Sequence, residues 1–274
     1  MNKVFSLVSD PRTLYLTEAL NNAIKRVDYV ITKRQGLTAI VGDNGLGKTS
    51  VLRLIHWKYV DNPEYIVGMI ATPNFASDFA MLKQLCNEFG VAAKRSLHEQ
   101  QNALTDWLVE RYKDGKNVVV FIDEAQKLKN KELELIRVFL NSETYDDNLI
   151  QVVLVGQLEL REKLLRKENK ALYSRLFYQS ILSPLTLDET ISMIDHRCNI
   201  EKILNPFTEA QIEEIYQVSK GVPRDAIKHC IYLMERDVPP KFESEKLEVE
   251  NEQKPDIKRD TKGKVRGKQA KSTS

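Results

Sequence analysis

Apolar runs alternate with amphipathic segments over most of the first 170 residues. Short apolar runs at residues 37–41, 65–71, 118–122 and 150–155 predict β-strands, and the run at 118–122 is the strongest. Apolar residues at helical spacing predict helices around these runs, at about residues 16–27, 48–57, 77–89, 96–112, 131–140 and 158–167. Strands that alternate with helices indicate an α/β fold, with a parallel sheet covered by helices on both faces.

After residue 182 the pattern predicts helices only. Thr186 with Glu189, and Thr208 with Gln211, have the spacing of capping boxes, and a third helix follows Pro223. We therefore divide the chain into an α/β core at residues 1–182, an all-helical lid at 183–238 and a tail at 239–274. The tail has few apolar residues, so burial cannot offset the entropy of ordering it, and we predict that it is disordered.

Composition adds a charge asymmetry to this picture. The 274 residues have a net charge of +2, but residues 253–274 contain eight lysines and arginines against Asp256 and Asp260. The basic charge is thus concentrated in the tail, and the rest of the chain is net acidic. Three widely spaced cysteines indicate reduced thiols, and no stretch is apolar enough to span a bilayer, so we expect a cytoplasmic protein.

A phosphate-binding motif follows the first predicted strand. The motif G-x-x-x-x-G-K-[ST] is matched in full by Gly42, Asp43, Asn44, Gly45, Leu46, Gly47, Lys48 and Thr49, with Ser50 next in the helix. Glycines let backbone N–H groups point at a phosphate, and the helix N-terminus adds positive charge. The motif predicts ATP binding, with Lys48 on the β- and γ-phosphates and Thr49 as a ligand of Mg²⁺. The alternative is a glycine-rich turn with a solvated lysine.

Two carboxylates follow the strongest strand. Because ligands of parallel sheets bind beyond the carboxyl ends of the strands, Asp123 and Glu124 should approach the phosphate loop if their strands are close. Asp123 would hold Mg²⁺, and Glu124 would act as the general base that polarises the attacking water. This second carboxylate favours hydrolysis over binding alone. The alternative is an exposed acidic turn at the start of a helix.

Together these motifs resemble those of AAA+ ATPases, in particular the ExeA/GspA-type ATPases and the related transposition regulators of the MuB and TnsC kind. The resemblance covers about residues 5–235. It is strongest in six stretches, at residues 10–16, 42–49, 121–126, 153–161, 182–185 and 221–224.

The resemblance implies catalytic roles for three further residues. Gln157 fits the sensor position that orients the water, and Arg224 fits the lid sensor that contacts the γ-phosphate. The alternatives are a helix-capping amide and a surface arginine. Arg175 fits the arginine finger that reaches the ATP of a neighbouring subunit, a role for which Arg161 and Arg166 compete. A finger in trans implies a homo-oligomer, either a ring or a helical filament.

The family also suggests a function on DNA. In DNA-binding relatives the region around the helix after the second strand faces the central channel, so Asn74, Lys94 and Arg95 are candidate contacts, although a solvated face is the alternative. We predict an oligomerising, double-stranded-DNA-binding ATPase that helps a mobile element and acts with a transposase or recombinase.

The rival prediction is an assembly ATPase of a secretion or envelope system that acts on protein partners. Long secretion members carry a membrane anchor and a wall-binding domain after the ATPase module. Because this sequence shows neither, we expect no membrane partner. A third alternative is a nucleotide switch that does not hydrolyse ATP, and Glu124 argues against it.

Overall fold

The computed structural model of the chain describes residues 4–8, 10–144 and 147–235. The strands of these residues are β1 Leu37–Val41, β2 Tyr65–Ile70, β3 Asn117–Ile122, β4 Ile150–Gly156 and β5 Leu176–Ile181. The α-helices are α1 Glu18–Thr32, α2 Lys48–Val60, α3 Asp78–Glu88, α4 Leu97–Lys113, α5 Asn130–Phe139, α6 Leu158–Leu165, α7 Lys170–Tyr173, α8 Leu187–Ile200, α9 Glu209–Ser219 and α10 Pro223–Met234. The predicted tail at 239–274 lies outside the described residues.

All five strands pair in parallel in one sheet, in the order β2-β3-β4-β1-β5. The chain passes from β1 to the far edge at β2, returns through β3 and β4, and then crosses to β5. The order therefore changes direction beside β1, and ligands of open α/β sheets bind at such a point, beyond the carboxyl ends of the strands.

Helices cover both faces of the sheet, and the strands are apolar on both faces. Val119 and Phe121 of β3 pack with α1 and α2, while Val118 and Val120 pack with α3 to α7 on the opposite face. Every residue of β1, β3 and β4 is buried, as expected for parallel strands covered on both faces. The α/β fold predicted from the sequence is confirmed.

Sequence reasoning missed strand β5. The four predicted strands agree with the structure to within about one residue at either end. Strand β5, however, lies at the edge of the sheet, and two of its apolar side chains, Phe177 and Ile181, are exposed. Its apolar run is also broken by Gln179 and Ser180. A half-exposed edge strand lacks the continuous apolar pattern that identified the others.

The helices after the sheet form the predicted lid, with their own apolar cluster. Both predicted capping boxes are present, at Thr186 with Glu189 and at Thr208 with Gln211. The cluster also contains Val4, which precedes the sheet by more than 30 residues in the sequence. The first described residues thus pack with the lid, although the predicted division assigned them to the core. None of the helices in the described residues has the length and hydropathy needed to cross a bilayer.

Candidate active site

The phosphate loop connects β1 to α2 and contacts the lid. Gly45 and Gly47 have left-handed backbone angles, with φ of +83° and +88°. A Cβ atom on Gly45 would come within 2.8 Å of Val222 and 3.0 Å of the Arg224 Cβ atom. The sequence places glycine here because both the backbone angle and the neighbouring lid helix exclude a side chain.

Lys48 is held inside the loop. Its ammonium donates hydrogen bonds to the carbonyl oxygens of Gly42, at 2.8 Å, and Asp43, at 2.7 Å. The residue is only 7% exposed, and burial lowers the pKa of its ammonium, against the nearby carboxylates of Glu124 and Asp123. The loop therefore presents a buried cation together with the N-terminus of α2, an arrangement suited to phosphate.

A hydrogen bond joins the phosphate loop to the acidic pair. The Thr49 hydroxyl donates to the Asp123 carboxylate over 2.9 Å. Asp123 is only 4% exposed, and burial raises the pKa of its carboxyl group, although the Thr49 hydrogen bond opposes this shift. A hydroxyl beside a carboxylate fits Mg²⁺, which takes a few protein oxygens and completes its shell with phosphates and water. In the part of the chain that the structure describes, no cluster of three or more His, Cys, Asp or Glu could hold a metal by itself.

Glu124 has a strained backbone and a well-defined hydrogen bond. Its φ of 52° is in the left-handed region, which costs a non-glycine residue about 1 kcal/mol. The carboxylate accepts a hydrogen bond from the Gln126 amide at 2.8 Å and lies 3.7 Å from the Lys127 ammonium. It also lines the same cavity as the phosphate loop. The predicted general base is therefore partly accessible and held in one orientation.

Gln157 lies between the two motifs, because β4 lies between β1 and β3 in the sheet. Its side-chain oxygen accepts a hydrogen bond of 3.3 Å from the Asn44 amide in the phosphate loop. Its backbone N–H donates to the Gln126 side-chain oxygen over 3.1 Å. The Gln157 side chain makes no capping hydrogen bond to α6, so the alternative of a helix-capping amide has no support in this geometry.

Arg224 is the second residue of α10, the lid helix that contacts the phosphate loop. Its backbone N–H donates to the Gly45 carbonyl over 3.3 Å, and its side chain lines the cavity above the loop. Its charge also acts on the nearby ammonium of Lys48. The structure thus brings Arg224 to the phosphate loop from a distant part of the sequence.

Part of the cavity wall is formed by an N-terminal strap, which we define as residues 4–8 and 10–16. Leu7, Val8 and Tyr15 of the strap line the cavity. Helix α8 holds the strap through Arg197, whose guanidinium donates hydrogen bonds of 3.2 Å to the carbonyls of Val4 and Ser6.

Sequence reasoning missed Arg197. The residue is 8% exposed, has no carboxylate within ion-pair distance among the described residues, and has a pKa that burial lowers. Its Nε atom has no hydrogen-bond partner in the described chain. One signal was present in the sequence, because Arg197 lies four residues after Met193, on the apolar stripe of α8.

Arg175 lies at the opposite end of the sheet from the phosphate loop. It precedes β5, in which Leu176 pairs with Leu37 at the start of β1, whereas Ile181 pairs with Val41 beside the loop. The Arg175 guanidinium donates to the Leu140 carbonyl over 2.9 Å. It therefore cannot contact the phosphate loop of its own chain.

Five other predicted residues are also away from the cavity. Arg161 and Arg166, the competitors for the finger role, are exposed. Of the DNA candidates, Asn74 lies in the loop after β2, while Lys94 and Arg95 lie between α3 and α4. All three are exposed, and none of them lines the cavity beside the phosphate loop.

Comparison with known proteins shows which domain this chain resembles. Residues 31–164 match the family model described as AAA domain. The chain is 29% identical over 223 residues to general secretion pathway protein A of Aeromonas hydrophila. The match covers 80% of this chain and only 40% of that protein. Residues 31–164 are therefore similar to an AAA domain, and the chain spans two-fifths of the length of the curated relative that it matches.

Solved structures share the fold at low sequence identity. The ORC2 protein of Aeropyrum pernix, determined as ADPNP–ADP complexes, has a TM-score of 0.59 at 17% identity and matches 85% of this chain and 65% of its own. The ORC1 protein of the same organism, determined in complex with DNA, has a TM-score of 0.57 at 16% identity and matches 86% of this chain and 65% of its own. Both comparisons support the AAA+ fold with a helical lid.

Proposed function

We propose that the AAA domain of this chain binds ATP with Mg²⁺ and hydrolyses it. The observation that carries the proposal is the 2.9 Å hydrogen bond between Thr49 and Asp123, because it joins the phosphate loop to the acidic pair. A glycine-rich turn without function would not require a buried lysine and a buried aspartate at the same strand ends.

In this proposal the loop Gly42–Ser50 holds the triphosphate. Backbone N–H groups at the start of α2 bind the phosphates, and Lys48 exchanges its carbonyl partners for phosphate oxygens. Arg224 approaches the terminal phosphate from the lid. The rest of the nucleotide lies toward the strap, where Leu7 and Val8 offer apolar surface.

Hydrolysis is assigned to the groups beyond β3 and β4. Glu124 accepts a proton from the attacking water, and the side-chain amide of Gln157 orients that water from the end of β4. Thr49 and Asp123 would hold Mg²⁺, which would supply positive charge to offset the charge that develops on the phosphate oxygens.

The test is Glu124→Gln, which keeps the size of the side chain and removes the base. We expect kcat to fall about 100-fold or more, while the affinity for ATP stays within about twofold. Glu134→Gln is the matched control, because Glu134 pairs with Arg137 on the exposed face of α5 and should leave kcat unchanged. Normal turnover in Glu124→Gln would remove Glu124 from the mechanism.

The proposal extends to an oligomer in which Arg175 acts on the nucleotide of a neighbouring subunit, in a ring or a filament. Its support is the position of Arg175, which is 32% exposed and lies away from its own phosphate loop. Arg175→Ala and Lys48→Ala should each be inactive, and mixing them should restore part of the activity across mixed interfaces. A mixture as inactive as its components would contradict the assignment in trans, and Arg161→Ala and Arg166→Ala would then be compared in the same assay.

We further propose that the ATP-bound oligomer assembles on double-stranded DNA and serves a transposase or recombinase, as MuB- and TnsC-type regulators do. The supports are the sequence resemblance and the exposure of Asn74, Lys94 and Arg95. DNA affinity should fall steeply with salt, and the double variant Lys94→Gln/Arg95→Gln should weaken it and reduce the salt dependence. Lys25→Gln/Lys33→Gln, with Lys25 on α1 and Lys33 directly after its end, is the control with the same charge change.

A second candidate is an assembly ATPase of a secretion or envelope system with protein partners. The 29% identity to general secretion pathway protein A favours it. The ATPase chemistry would be the same in both cases. Binding of double-stranded DNA that is independent of salt, or no binding at all in the presence of ATP, would favour this candidate over the DNA platform.

A further inference from the structure

The side-chain amide of Gln126 joins the acidic pair to the end of β4. Its nitrogen donates to the Glu124 carboxylate over 2.8 Å, and its oxygen accepts the backbone N–H of Gln157 over 3.1 Å. These contacts fix which way the amide faces, because a backbone N–H can only donate and must meet the oxygen. The nitrogen is then left for the carboxylate, which can only accept.

The surrounding structure leaves this amide little freedom. Gly156 is the last residue of β4, and a Cβ atom there would come within 2.8 Å of the Gln126 side-chain oxygen. The turn that contains Gln126 is also held from α6, where the Lys163 ammonium donates to the carbonyls of Gln126 and Leu128. Gly156 and Lys163 belong to the same segment of the chain. The position of that segment therefore determines the position of the Gln126 amide.

The amide completes a chain of contacts from the phosphate loop to the general base. Asn44 of the loop bonds to the Gln157 side chain, the Gln157 backbone bonds to Gln126, and Gln126 bonds to Glu124. A carboxylate on a flexible side chain would otherwise sample several rotamers, and a base must lie within hydrogen-bond reach of the proton it accepts. The neighbouring Lys127 ammonium, at 3.7 Å and half exposed, restrains Glu124 only weakly.

From this geometry we infer that Gln126 is a positioning residue for hydrolysis. Its amide connects the Glu124 carboxylate to the junction between β4 and α6, so the position of this junction sets the position of the carboxylate. This inference rests on the proposed function, because it assigns Gln126 a role through Glu124. Within the described chain, Gln126 forms no hydrogen bond to the phosphate loop or to the Thr49–Asp123 pair.

Three variants test the role of the amide. Gln126→Glu keeps an acceptor for the Gln157 N–H but replaces the donor to Glu124 with a repelling charge, and Gln126→Met removes both contacts at similar size. Gly156→Ala should displace the Gln126 amide while Gln126 and Glu124 themselves stay unchanged. We expect each to lower kcat about tenfold or more, with ATP affinity within about twofold of wild type.

The matched controls are Gln217→Glu and Gln217→Met. Gln217 also donates to a glutamate, Glu213 at 2.7 Å, but on an exposed face of α9. These variants should keep wild-type kcat.

A double-mutant cycle separates positioning from a general structural role. In the Glu124→Gln background, Gln126→Met should cause little further loss of kcat, because its effect passes through Glu124. Additive losses, a raised kcat, or wild-type kcat in both Gln126→Glu and Gln126→Met would overturn the inference. If Glu124→Gln is inactive while both Gln126 variants are normal, the proposed function survives and only this inference fails. A wild type without hydrolysis overturns both.

Discussion

The two ends of the cavity are built in different ways. At the phosphate-loop end, buried charged groups are held by hydrogen bonds at the ends of β1, β3 and β4. At the strap end, apolar residues pack against the lid, and Arg197 reaches carbonyls that precede it by more than 190 residues. Hydrogen bonds between polar groups thus dominate the phosphate-loop end, and packing between distant segments dominates the strap end. Substitutions at the first end should mainly change ATP affinity, and truncation of the strap's apolar core residues should mainly change stability.

The largest effect is expected for Phe5→Ala at the strap end. Phe5 is 2% exposed in the lid cluster and contacts the Phe207 ring, so truncation leaves a cavity. We expect a loss of about 3 kcal/mol in the free energy of unfolding, measured by urea denaturation. Phe177→Ala, at an exposed phenylalanine of β5, is the control and should cost less than about 1 kcal/mol. Equal losses would mean that the strap is not part of the lid.

Lys48→Ala should have the opposite effect, because it should change ATP affinity and not stability. Loss of a charge-assisted contact to phosphate should weaken ATP binding about 100-fold or more, with little change in unfolding free energy because the buried ammonium is itself costly. Titration calorimetry measures the affinity. Lys58→Ala on the same helix, where the lysine pairs with Asp28 at the surface, should bind ATP normally. Wild-type affinity in Lys48→Ala would end the proposal of a phosphate loop.

Arg197→Met tests whether the strap end contributes to binding. The lost hydrogen bonds, about 1 kcal/mol each, are offset by removal of a buried cation that forms no ion pair within the described residues, so stability should change by less than about 1 kcal/mol. The strap should loosen, and ATP affinity should fall about tenfold. Arg12→Met is the control, since Arg12 is an exposed strap residue that pairs with Asp10. A large loss of stability with normal affinity would make Arg197 a structural residue only.

The smallest expected effect is the contribution of Asp123 to the pH dependence of stability. Its pKa is raised above the ordinary 3.8, so the folded protein keeps this proton at higher pH than the unfolded chain does. Stability without nucleotide therefore falls as the pH rises through the window that begins near 3.8. Asp123→Asn should flatten this decline and be more stable at neutral pH by on the order of 1 kcal/mol.

Addition of ATP and Mg²⁺ should remove that advantage, because the proposed metal site needs the charged carboxylate. Urea denaturation from about pH 4.5 to pH 7, with and without nucleotide, provides the measurement. Asp114→Asn, at a largely exposed aspartate, is the control. A variant that keeps the wild-type pH dependence would show that Asp123 does not cause it.

The same contrast explains what the sequence could predict. Phosphate chemistry requires a fixed run of residues, so Gly42–Thr49 and the pair after β3 were recognisable, and burial in a parallel sheet made four strands visible. Strand β5 was missed because an edge strand is half exposed. Arg197 and its contact with residues 4–8 were missed because packing between distant segments leaves no fixed spacing in the sequence. Gln126 lies in one of the stretches that resemble the family, but its two contacts depend on the position of Gly156.

The packing of Val4 and Phe5 in the lid has a consequence for synthesis of the chain. Val4 leaves the ribosome 193 residues before Arg197, which binds its carbonyl. At elongation rates of about 5 to 20 residues per second this delay is about 10 to 40 s. The sheet can assemble during that time, but Val4 and Phe5 have no apolar partners until the lid emerges. A newly made chain therefore acquires its phosphate loop early, and these two residues reach their packed position last.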